Sequence, residues 1–121
     1  MTGVEWVIDA RGCDPERLTD QSRLAALFDD IVRDLSLHVI GAPMWHVFPT
    51  TGGITGLCML AESHLTVHTF PEHRSLCLNL FCCRPRDAGD VERRLRDAVC
   101  ATDVDITRIE RSYAELFAPL P

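Results

Sequence analysis

The chain has 121 residues, 46% hydrophobic and 25% charged, enough to bury one core and too few for two independent domains, so residues 1–121 are read as one domain with no disordered part. A formal net charge of -6 and a sequence pI of about 5.2 repel phosphate backbones and anionic headgroups, so neither nucleic acid nor a membrane is an expected partner. No apolar run approaches the roughly 18 residues of a membrane span, and the N-terminus lacks a basic segment followed by an apolar core, so the expected compartment is the cytoplasm.

Val4-Glu5-Trp6-Val7-Ile8-Asp9-Ala10-Arg11 joins β-branched and aromatic residues and runs into Gly12-Cys13-Asp14-Pro15, which predicts a first strand ending in a turn. Glu5 and Asp9 lie on one face of it, either in solvent or pointing into a site. Thr19 or Asp20 caps a helix in which Leu24, Leu27, Phe28, Ile31 and Leu35 recur at helical spacing opposite a charged face. Gly41 and Pro43 end that region, and residues 44–48 read as a second strand with Trp45 and Phe48 in the core. Thr50-Thr51-Gly52-Gly53 turns the chain into a buried strand over 54–61, making a hairpin. These glycines do not form a phosphate loop, since neither a helix start nor Lys-Ser/Thr follows. Gly56 marks a bulge or a close backbone approach.

Ala61-Glu62-Ser63-His64-Leu65-Thr66-Val67-His68-Thr69-Phe70-Pro71-Glu72 then packs a hydroxyl, two imidazoles and two carboxylates among strand formers. After the turn at 71–74, Leu76, Leu78 and Leu80 alternate with Cys77, Asn79 and Phe81, so a strand runs to Cys82-Cys83 with the leucines on one face and Cys83 continuing the other. Arg84-Pro85 breaks it. Val91, Leu95, Ala98 and Val99 predict a second amphipathic helix, Val104, Ile106 and Ile109 a last strand, and residues 113–121 a loosely held tail. Hairpin-linked strands with two one-sided helices give an α+β, two-layer sandwich: an antiparallel sheet with two helices on one face. The other face must be solvated or covered, and a homodimer would cover it. The six cysteines have no zinc-ribbon spacing, and the compartment argues against disulfides, so most are expected to be reduced, small core residues.

The chemistry of the 61–72 stretch has several readings. On a helix His64 and His68 would suit a metal, but Leu65, Thr66, Val67 and Thr69 favour a strand, which holds the two rings roughly 13 Å apart, so no metal site is expected. A hydrolase serine needs a tight elbow before a helix, which Glu62-Ser63-His64 lacks. The plainest reading is surface polarity on a structural domain.

Glu-Ser-His-Leu-Thr-Val-His-Thr-Phe-Pro-Glu at 62–72, followed by Asn-Leu-Phe-Cys-Cys at 79–83, resembles the prokaryotic S-adenosylmethionine decarboxylases, as do Gly12-Cys13-Asp14-Pro15 and Gly53-Ile54-Thr55-Gly56, so the similarity runs over most of the chain. It implies a self-cleaving proenzyme in which Ser63 Oγ attacks the Glu62 carbonyl, the peptide becomes an ester, and elimination leaves a β chain, 1–62, and an α chain, 63–121, headed by a pyruvoyl group derived from Ser63. By the same resemblance His68 assists the elimination, Thr55 stands where the family has a processing Ser, and Cys83 is the acid that protonates the substrate carbon. A pyruvoyl carbonyl forms a Schiff base with an amino acid and draws electrons from its α-carbon, the requirement of a decarboxylase. A thiol, with an ordinary pKa of about 8.5, is a proton donor at pH 7, and an imidazole, at about 6.5, is a neutral base. Glu72 would bind the substrate's hydroxyls or amine, and Phe70, Glu5 and Asp9 would line its pocket.

The chain departs from the family at several positions: Phe70 for a Trp, Asn79 for an Asp, Arg84 for a Gly, Thr55 for a Ser, Glu5 for a His, and Ala10-Arg11 for an aromatic pair. None removes a core catalytic group. The resemblance therefore predicts S-adenosylmethionine decarboxylation supplying polyamine synthesis. Two alternatives stand beside it. One is the same chemistry on arginine or ornithine, whose cationic end Glu5 would complement. The other is an uncleaved homologue that binds a ligand or partner.

Overall fold

The computed structural model describes residues 2–83 and 89–113. In chain order it comprises β1 (Thr2–Arg11), α1 (Pro15–Leu18), α2 (Gln21–Asp34), β2 (Met44–Val47), β3 (Ile54–Met59), β4 (Ser63–Phe70), a 3-10 turn (Pro71–His73), β5 (Ser75–Cys82), α3 (Val91–Val99) and β6 (Asp103–Ser112). The strands form one sheet in the order β2-β3-β4-β5-β1-β6, with every pair antiparallel.

The period-two alternation sets which face is dry. Val4, Trp6, Ile8 and Ala10 of β1 lie opposite Cys82, Leu80, Leu78 and Leu76 of β5, and Leu80, Leu78 and Leu76 lie opposite Leu65, Val67 and Thr69 of β4. A one-residue slip anywhere would turn these side chains to solvent. The helices cover this face with Leu18 from α1, Leu24, Leu27, Phe28 and Ile31 from α2, and Val91, Leu95 and Val99 from α3. Each such side chain contributes roughly 1.5–3 kcal/mol on burial. The opposite face has no covering layer among the described residues, and Met44, Leu57, Met59, Phe70 and Ile109 are exposed on it.

The α+β two-layer class holds, with a third helix added. The turn read at Gly12-Cys13-Asp14-Pro15 opens α1, whose N-cap Asp14 accepts from the Glu16 N–H at 3.0 Å with Pro15 in the first turn. At four residues α1 is too short to show helical periodicity. Asp20, rather than Thr19, caps α2 by accepting from the Arg23 N–H at 3.2 Å. Trp45 packs against Phe28 with ring centroids 5.0 Å apart, as expected of the core, whereas Phe48 is 54% exposed. It lies past the end of β2, where alternation no longer applies. Gly56 makes a close approach: a Cβ there would stand 2.3 Å from the Trp45 ring. None of the six cysteines is in a disulfide; Cys13, Cys58 and Cys82 are buried, but Cys77 and Cys83 are half-buried and Cys100 is exposed. Arg84-Pro85 and residues 114–121 lie outside the described residues.

Candidate active site

β3 and β4 are joined by a tight turn in which the Leu60 N–H donates to the Ser63 carbonyl at 3.0 Å. The chain after α2 runs alongside this turn: Val39 bridges Leu60, and the Ala61 N–H donates to the His38 carbonyl at 2.9 Å. The peptide between Glu62 and Ser63 therefore sits where a turn enters a strand, held from a second segment. Ser63 is half-buried. It lies opposite Cys82 and shares the helix-facing side of the sheet, so its neighbours Glu62 and Cys83 turn to the open side. There the Cys83 thiol donates to Glu62 Oε2 at 2.8 Å. A cleft of about 220 Å³ takes in Ser36, His38, Glu62, Ser63 and Cys83. The Tyr113 hydroxyl donates to the Cys83 carbonyl at 2.8 Å and ties the end of β5 to the residue after β6.

A second group lies at the other end of β4 on the open face. Thr55 lies opposite His68 in the β3–β4 register, and Thr55 Oγ1 stands 3.1 Å from His68 Nδ1. These two share a cavity of about 240 Å³ with His46, Phe48, Phe70 and Glu72. Thr69 faces inward and anchors this end, its hydroxyl donating to the Leu18 carbonyl at 2.7 Å and accepting from the Ile54 N–H at 2.8 Å.

Glu5 and Asp9 lie on the open face of β1, two strands from β4, level with His64 and His68 through Phe81 and Cys77 of the intervening β5. Glu5 accepts from Arg111, and from Asn79 Nδ2 at 3.4 Å, while Arg111 stacks over Phe81 with its guanidinium carbon 5.8 Å from the ring centroid. Asp9 lies opposite Cys77. Burial pushes the Cys77 thiol up, and the hydrogen bond and charge of Asp9 push it further.

The structure thus brings together Glu62, Ser63 and Cys83 in one cleft, and Thr55, His68, Phe70 and Glu72 in or beside another. It does not bring Ser63 and His68 together: they lie on opposite faces of one strand, and five residues of extended chain span about 16 Å. Sequence reasoning missed His38, His46, Arg111 and Tyr113, which reach these places only through the packing of distant segments. Phe48, expected in the core, lines the second cavity instead. The register of the β2–β3 hairpin, which sets His46 opposite Thr55, was the one signal that could have found any of them. Among the described residues no three His, Cys, Asp or Glu side chains are grouped to hold a metal, and no helix is long and apolar enough to cross a membrane.

The profile of the S-adenosylmethionine decarboxylase family matches residues 4–112. S-adenosylmethionine decarboxylase proenzymes are among the similar curated proteins. That of Thermococcus gammatolerans is 33% identical over 67% of this chain and 55% of its own length. The Pyrococcus furiosus protein is 31% identical over 94% and 74% respectively, and proenzyme 2 of Halalkalibacterium halodurans 31% over 94% and 89%. The chain thus spans about half the length of the first of these relatives and more of the others. A crystal structure of the adenosylmethionine decarboxylase from Aquifex aeolicus superposes with a TM-score of 0.80, covering 98% of this chain and 97% of that one at 21% identity, a likeness of fold.

Proposed function

The chain belongs to the S-adenosylmethionine decarboxylase family, and from this we propose that it is a proenzyme that cleaves itself between Glu62 and Ser63 and then decarboxylates S-adenosylmethionine for polyamine synthesis. The observation that carries this reading is the cleft at the start of β4. There the nucleophile, the residue whose carbonyl it attacks and the proton-donating thiol meet at a tight turn. Ser63 Oγ adds to the Glu62 carbonyl, the C–N bond gives way to an ester, loss of the Ser63 α-proton eliminates the 1–62 chain as a carboxylate, and water hydrolyses the imine tautomer of the dehydroalanine left at position 63, releasing ammonia and leaving the keto group. The residues present fit the pyruvoyl group so made, since Ser63 is half-buried in the cleft beside a thiol. Such a group supplies an electron-withdrawing carbonyl that binds the substrate amine and stabilises negative charge at the α-carbon. Cys83 then returns a proton to that carbon.

His68 is the base for the α-proton in this scheme, held through Nδ1 by the Thr55 hydroxyl. About 16 Å of strand separates it from Ser63 in the same copy, so the His68 that serves Ser63 belongs to a second copy. A two-fold axis running across the strands, between two open sheet faces, stacks those faces about 10 Å apart and exchanges the two ends of each β4. It covers Leu57, Met59 and Ile109, exposed on that face, and sets the Thr55–His68 cavity of one copy against the open side of the other's Ser63 cleft, where Glu62 and Cys83 lie and the Ser63 backbone is approached from the side opposite its hydroxyl. The functional unit is a homodimer. Phe48 and Phe70 offer aromatic surface for a purine and Glu72 an acceptor for ribose hydroxyls. Arginine and ornithine are disfavoured as substrates, because the Glu5 carboxylate that would have met their cationic end is paired with Arg111.

The test is the denaturing intact mass of freshly purified protein, with Ser63→Ala as control. Two fragments, 1–62 and a borohydride-sensitive 63–121, are expected from the native chain and none from the variant. A native chain that persists intact at 13.6 kDa overturns the proenzyme reading in favour of an uncleaved binding homologue.

A further inference from the structure

The contact between Cys83 and Glu62 joins two residues that the cleavage scheme uses for unrelated purposes, one as proton donor and one only for its backbone carbonyl. Their side chains meet because Ser63 lies opposite Cys82, which sets the next pair outward on the open face, and the thiol donates to Glu62 Oε2 at 2.8 Å. We propose that the side chain of Glu62 is the positioning group of Cys83: it accepts the thiol's hydrogen bond, keeps the proton on sulfur and fixes the direction in which that proton is offered. This rests on the reading of Cys83 as proton donor. In that step the S–H bond breaks and a C–H bond forms at the substrate's α-carbon, and the thiolate left behind takes a proton from water.

The physical argument is electrostatic. A carboxylate beside a thiol repels the thiolate and accepts from the neutral S–H, and both effects favour the protonated form. Among the described residues, the other titratable and charged groups around Cys83 do not take this role. His38 stands across the cleft from the segment after α2. Tyr113, after β6, directs its hydroxyl to the Cys83 backbone carbonyl. On β6 and β1, Arg111 and Glu5 neutralise each other. Cleavage leaves this side chain on residues 1–62 and adds a terminal carboxylate at the same residue, a charge that the native chain and a Glu62→Gln chain share, so a comparison of the two isolates the side chain.

The experiment is the rate at which iodoacetamide alkylates Cys83, read by peptide mass spectrometry from pH 6 to 10 on the full chain and on Glu62→Gln, with Cys77 and Cys100 as internal controls. The amide still accepts a hydrogen bond but carries no charge. The half-maximal rate is expected to fall by about one pH unit, which raises the Cys83 thiolate fraction at pH 7 about tenfold and its alkylation rate by a few-fold, since the less basic thiolate is the weaker nucleophile, while the control cysteines are unchanged. In the cleaved variant the alkaline limb of kcat should move down by the same amount with KM little altered. A Cys83 profile in Glu62→Gln that superposes on that of the native chain overturns the proposal. Alkylation is read whether or not the chain has cleaved, so the failure of this proposal and the failure of self-cleavage, seen as a single mass, are separate results.

Discussion

Cys82 and Cys83 are adjacent in sequence and opposite in circumstance. Cys82 is 2% exposed and part of the core, whereas Cys83, one residue past the end of β5, is half-buried and faces Glu62. Cys82 is the last residue of β5 and still faces the helices, whereas Cys83 follows the strand and meets Glu62, and the proposed proton transfer is given to Cys83 for that reason. Cys83→Ala is therefore expected to cleave as the native chain does, because the thiol takes no part in ester formation. It should then lose at least about 100-fold in kcat, the usual contribution of a positioned general acid; a fragment pattern by mass and a turnover assay check both halves. Ser63, His68 and Cys83 were legible in the sequence because a hydroxyl, imidazoles and thiols at these spacings match a family pattern. His46 and Tyr113 were not, because nothing local distinguishes them from any histidine in a strand or tyrosine in a tail.

At the scale of elements, β3 and β4 carry the site, and their hairpin depends on how closely β3 approaches β2. Gly56 lies opposite Trp45, and Trp45 packs on Phe28 of α2, so the indole fills the volume a Cβ at position 56 would need. Gly56→Ala puts a methyl 2.3 Å from that ring, which forces Trp45 off Phe28 and opens the β2 edge. A loss of about 1–3 kcal/mol is expected, measurable as a lowered urea midpoint with unchanged slope, and cleavage should slow because Thr55 is the next residue. The sequence marked Gly56 as unusual without saying which of two causes applied. A bulge and a close approach leave the same glycine, and only the packed neighbour separates them. The strands and the two longer helices were legible because each repeats its apolar period over several residues. Helix α1 was not, since one turn anchored by Asp14 and Pro15 gives no period to read.

For the whole molecule the deciding feature is that one face of a six-stranded sheet lies under helices and the other carries Thr55, His68 and an exposed apolar set, with Glu62 and Cys83 turned to the same side. If two copies close over that face, a charge in its middle should separate them without touching the helix-packed core. Leu57→Asp is expected to sediment as a folded monomer with native circular dichroism and to cleave at least about tenfold more slowly, because each Ser63 then lacks the other copy's His68. A Leu57→Asp chain that cleaves at the native rate while monomeric would overturn the shared site. By itself the sequence determined the class, the strands and the core-facing leucines, since each depends on residue type and on a period set by backbone geometry; the reacting groups it nominates rest on a family resemblance. Only the tertiary structure decided which face of β4 the helices cover, that Glu5 is occupied by Arg111, and that the Glu62 side chain accepts from the Cys83 thiol. Those are contacts between segments far apart in the chain, or directions fixed by register, and the pattern of residues along one segment does not encode what comes to lie beside it.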